Sequence, residues 1–61
     1  MNPLRRGIDA FYIQWELTLG TPPADIALYF SSSVPLVVHR LGILGCPDLA
    51  ERFQRAAAVA A

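Results

Sequence analysis

Few side chains in this sequence are equipped for covalent chemistry, and none has the companions such chemistry needs. His39 is the single imidazole and Cys46 the single thiol. A structural or catalytic zinc takes three or four nitrogen, sulfur or carboxylate ligands. One histidine and one cysteine therefore make no metal site without carboxylates or a second chain. Ser31-Ser32-Ser33 offers three hydroxyls, but a nucleophilic serine needs a base within hydrogen-bond reach and an acid to orient that base. No such set is legible, and the serines read as turn and cap. His39 reads as a surface or partly buried imidazole, and Cys46, beside Pro47, as a half-buried small residue opening a helix. No catalytic residue, cofactor or metal is expected, and the chain is not expected to be an enzyme.

The remaining chemistry is ionic. Five arginines and no lysine face five acids, giving a formal charge of zero. Dedicated nucleic-acid binders carry a basic surplus, because phosphate neutralisation supplies most of their affinity. DNA contact through Arg5, Arg6, Arg40, Arg52 and Arg55 is therefore expected to be weak and sensitive to salt.

Sixty-one residues make one domain, 1–61, and a chain this short hides only about 60% of the surface it exposes when unfolded. A lone cysteine excludes an intramolecular disulfide. With 54% hydrophobic and 16% charged residues, the chain has more apolar side chains than a small core holds. A homo-oligomer or a stable partner protein is expected. Arg5-Arg6 is followed by Asp9, Gln14 and Glu16, which interrupt any apolar run. No export signal or membrane span is read there, and the expected location is cytoplasmic.

The elements that must position these groups are helical. Asn2-Pro3 is a helix start, followed by Ile8, Phe11, Tyr12, Trp15 and Leu19 at three- and four-residue spacing, with Gly20 as the stop. This stripe is expected to pack as core. Its alternative is an interface, with Phe11, Tyr12 and Trp15 as aromatic anchors. Thr21 is read as the cap of a second helix, with Pro22 in its first turn and Asp25 placed to suit the dipole. Ile26, Ala27 and Phe30 face inward until the serines break the helix. Ser33 caps a third helix with Val37, Leu41 and Leu44 inward, and Gly45 ends it. Cys46-Pro47-Asp48 opens a fourth, with Leu49, Phe53 and Ala57 on one side and an i,i+4 Glu51–Arg55 pair. Its alanine-rich end, 55–61, is expected to fray. The sum is an all-α, three- to four-helix bundle.

Within it, residues 22–45 read as a helix-turn-helix. Such a unit needs a small residue where its helices cross, and Ala27 is that residue; Ile26, Phe30, Val37 and Leu41 fall where the crossing angle is held. The segment 26–45, IALYFSSSVPLVVHRLGILG, resembles the helix-turn-helix near the end of ImmA/IrrE-type metallopeptidases. Ile26-Ala27, Phe30, Ser33, Val37, Arg40-Leu41 and Leu44-Gly45 keep step with that pattern. Ser31 stands where the family has the turn glycine and Ser32 where it has a valine, so a looser turn is expected. None of the family's catalysis is implied, since no His-Glu-x-x-His motif is present.

The third helix is expected to present Val34, Pro35, Val38, His39 and Arg40 to DNA or a partner. Only His39 and Arg40 suit base edges. The function expected is a small regulatory protein, acting as a dimer in weak DNA binding or transcriptional control. The alternative is an interaction module, such as an inhibitor, adaptor or small subunit, that docks a protein through its apolar surface.

Overall fold

The computed structural model describes residues 7–60. Four helices follow one another: α1 (Ala10–Thr18), α2 (Pro23–Tyr29), α3 (Val34–Ile43) and α4 (Pro47–Ala60). No strand occurs among the described residues, so the protein is a small all-α domain.

Each helix starts and stops for a local reason. The Asp9 carboxylate accepts from the amides of Phe11 and Tyr12 at 3.0 and 3.2 Å, which satisfies two otherwise unpaired donors. Helix α1 thus begins at Ala10; the start expected at Asn2-Pro3 lies outside the described residues. Helix α2 takes Pro22 as its cap residue and Pro23 as its first, where proline loses no hydrogen bond. Thr21, expected as that cap, instead donates its hydroxyl to the Glu16 carboxylate. Ser33 does occupy the cap position of α3, but its side chain makes no cap bond.

Three helices end in the same way. After α1, the amide of Gly20 donates to the Leu17 carbonyl and that of Thr21 to Glu16. After α3, Gly45 donates to Gly42 and Cys46 to Leu41; after α2, Ser31 donates to Leu28 and Ser32 to Ala27. These paired bonds define the Schellman motif, whose pivot residue must be left-handed. Gly20 and Gly45 have φ of 87° and 81°, and Ser31 takes the same role at 55°. The looser turn expected from the serines is thereby corrected, because both motif bonds close at 2.9 Å without glycine.

The core gathers Ile13 from α1, Ile26 and Ala27 from α2 with Phe30 just beyond it, Val37 and Leu41 from α3, and Leu49, Ala50 and Phe53 from α4. Helix α4 packs most extensively on α3. Its exposed Glu51 and Arg55 form the expected pair at 3.2 Å. Ala57 is half-buried, and the helix continues to Ala60. Two expectations for the core fail. Leu44 is exposed rather than inward. Helix α1 buries Ile13, while Phe11 is 85% and Trp15 63% exposed and Leu19 is exposed too. Of the expected stripe, only Ile8 and Tyr12 pack against the core. The physical cause is that α1 is apolar nearly all round, so spacing alone admits two inward faces.

Among the described residues, no single helix is long and apolar enough to cross a membrane; α2 and α3 meet that length and composition only as a pair bent by 73°.

Candidate nucleic-acid or partner interface

Helix α2, residues 30–33 and α3 form a compact unit. The chain turns by 73° between the two helices, so their axes enclose an obtuse angle within the roughly 90–120° of a helix-turn-helix. Ala27 is 1% exposed; a larger side chain there would push the packed helices apart. Ile26, Phe30, Val37 and Leu41 are buried together around it. Tyr12 secures α1 to this unit: its ring stacks on Tyr29, with centroids 4.3 Å apart, and meets Phe30 edge-on at 5.7 Å.

Helix α3 buries Val37 and Leu41 and turns Pro35, Leu36, His39, Arg40, Gly42 and Ile43 outward. Val34 and Val38 were expected to face a ligand, yet both are half-buried and packed against the core. Val34, Val37, Val38 and Leu41 recur at three- and four-residue spacing, so both valines lie on the side of α3 that meets the core. Of the five residues expected to contact DNA or a partner, Pro35, His39 and Arg40 are therefore exposed. Leu36, which sequence reasoning passed over, and Ile43, which it placed beside Arg40 on the flank, complete the face at 55% and 67% exposure. Their signal was present: residues 36, 39, 40 and 43 follow helical spacing.

Arg40 lies in the last turn of α3, where a cation suits the helix dipole. It lines a hollow of about 330 Å³ with Ser31, Ser32, Phe30 and Leu36. The other described arginines are elsewhere. Arg52 and Arg55 line a separate hollow of about 500 Å³ between α4, Leu17 and Pro23, and Arg55 is engaged by Glu51. Arg5 and Arg6 lie outside the described residues. Among the described residues, Arg40 therefore lies apart from Arg52 and Arg55.

Cys46 is a half-buried free thiol, its sulfur 4.0 Å from the Leu44 carbonyl. Among the described residues, no three His, Cys, Asp or Glu side chains come together as a metal site would require.

Fold and surface together define a small all-α domain built around a helix-turn-helix unit. Comparison with family models, with curated proteins and with solved structures gives no match.

Proposed function

We propose that this chain is a small, non-enzymatic helix-turn-helix regulatory protein. It acts as a dimer and contacts DNA through α3, weakly and with little regard to sequence. The observation that carries this reading is the α2–turn–α3 geometry, which leaves His39 and Arg40 together on the outer face of α3. A helix so presented fits the major groove, and the Ser31, Ser32 and Arg40 hollow beside it suits a backbone phosphate. The zero formal charge and the separation of Arg40 from Arg52 and Arg55 argue for few phosphate contacts.

Fluorescence anisotropy with unrelated duplexes tests the reading. Expected are similar affinities on all sequences and a logarithmic salt slope of only a few units, at about 0.9 per phosphate. A nanomolar, sequence-specific complex at physiological salt, or no binding at low salt, would overturn it.

A second reading has one specific observation in its favour. Leu36 and Ile43 flank His39 and Arg40 with large exposed apolar side chains, which suits a protein partner more than a base edge. On that reading Leu36→Asp removes partner capture, whereas Arg40→Ala matters less.

A further inference from the structure

Where the second half of α4 meets the end of α1 and the start of α2, the packing leaves an open hollow of about 500 Å³. That is within the range that holds small ligands. Leu17, Pro23, Ala56 and Val59 make its walls apolar, and Arg52 and Arg55 line it as well. Residues 52, 55, 56 and 59 share one side of α4 by their three- and four-residue spacing. An arginine so placed lays its stem along apolar surface and keeps its guanidinium at the solvent edge.

The charge around this hollow is one-sided. The described residues carry Arg40, Arg52 and Arg55 against Asp9, Glu16, Asp25, Asp48 and Glu51, yet two of those arginines and none of those acids line it. Glu51 pairs with Arg55 at 3.2 Å without lining the hollow. Glu16 is its acidic neighbour on the other side, where it accepts the hydroxyl of Thr21. Asp25 lies in the first turn of α2. Asp48 stands one turn before Arg52, but it lines the hollow beside Phe11 and closes no ion pair with Arg52. Among the described residues, Arg52 has no ion pair or hydrogen-bond partner.

We propose that this hollow binds a small aliphatic carboxylate, with the chain along Leu17, Ala56 and Val59 and the carboxylate on Arg52. A guanidinium suits that head group because its planar N–H donors match both carboxylate oxygens. An apolar wall alone would admit any oily molecule, and an arginine alone any anion; together they select a ligand that is both. Arg52 and Val59 lie about 10 Å apart along α4 at about 1.5 Å per residue, close to the span of an extended octanoate. Repulsion from Glu16 holds the carboxylate to the α4 side. The other two hollows lack this pairing: Asp48 lines the one beside Phe11, and the smaller one at Arg40 carries the hydroxyls of Ser31 and Ser32. The site is separate from the outer face of α3 and does not rest on DNA contact.

Titration of the intact, isotope-labelled chain with sodium octanoate, followed by amide NMR shifts, reads the outcome. Saturable shifts are expected, largest at Leu17, Gly20, Thr21, Arg52 and Val59, with a dissociation constant of about 1 mM or tighter. Octanol and octylammonium, which keep the chain and change the head, should bind about 10-fold more weakly or less. Acetate, which keeps the head and lacks the chain, should give no saturable shift. Arg52→Gln should weaken octanoate about 10-fold and leave octanol unchanged. Val59→Glu should also weaken octanoate, by setting a second acid one turn from Arg55. Both positions are exposed, so the helical spectrum should be retained. Shifts centred elsewhere, such as on Phe11 and Trp15, overturn the proposal. So does equal affinity for octanol, affinity unchanged in Arg52→Gln, or no saturation below about 10 mM. Should Arg52→Gln lose its helical spectrum, the octanol and acetate titrations of the wild type decide.

Discussion

The amide of Ser32 donates to the carbonyl of Ala27 at 2.9 Å, and this bond closes the turn of the helix-turn-helix over a left-handed serine. The same bond follows α1 and α3 over glycines. Ser31, at φ 55°, bears a steric cost of roughly 1–2 kcal/mol that glycine avoids. Ser31→Gly is therefore expected to raise stability by about 0.5–1 kcal/mol, after allowing for glycine's greater freedom when unfolded. Ser31→Val should lower it by at least as much. Urea denaturation of the three chains at equal concentration measures both.

Tyr12 and Trp15 stand three residues apart and should respond oppositely to truncation. Tyr12 holds Tyr29 and Phe30 against α1, so Tyr12→Ala should cost about 2–3 kcal/mol from lost burial and ring contact. Trp15→Ala, on an exposed face, should leave the monomer within about 0.5 kcal/mol of wild type. Thermal melts at matched, low concentration separate the two.

Phe53 is fully buried where α4 meets the other helices. Phe53→Ala should cost about 3–5 kcal/mol, a large share of what so small a domain possesses. Loss of the cooperative transition, followed by circular dichroism, is the expected result. Arg55→Ala breaks only the exposed Glu51 pair and should change stability by no more than about 0.5 kcal/mol.

Asp9 offers a local test of where α1 begins. Asp9→Ala should cost about 1 kcal/mol and unravel the first turn, raising amide exchange at Phe11 and Tyr12. Asp9→Ser, which keeps an acceptor, should restore most of the protection. Protection unchanged in Asp9→Ala would place the cap elsewhere.

Arg40→Ala should weaken DNA binding to a similar extent on every duplex if its guanidinium meets phosphate, and reduce the salt slope by about one unit. If it reads a guanine edge, the loss should fall on one sequence, at about 1–3 kcal/mol. Leu36→Asp is the matching probe for a protein partner, because Leu36 is exposed and its replacement spares the core. Val38 is unsuited to that test; a charge there would enter the packed side of α3.

Much of the fold was legible in the sequence because it is written in local chemistry. Proline can open a helix where its missing amide is no loss, and glycine can close one where φ must be positive. Pro47, Gly20 and Gly45 mark their boundaries for those reasons, and Ala27, Val37 and Leu41 declare the inner side of the helix-turn-helix by size and spacing. What the residues could not settle alone was which side of α1 faces in. Phe11, Trp15 and Leu19 form one apolar stripe, and Ala10, Ile13 and Leu17 form another on the opposite side; periodicity scores both. Only the packed structure chose, since α1 lies against α4 with Ala10 and Leu17 on the core, while Tyr12 stacks on Tyr29. The same holds for α3, where neighbouring Val37 and Val38 differ because the packed core encloses one wholly and the other in part. Caps and stops depend on a few bonded neighbours, whereas the direction a helix turns depends on helices far along the chain.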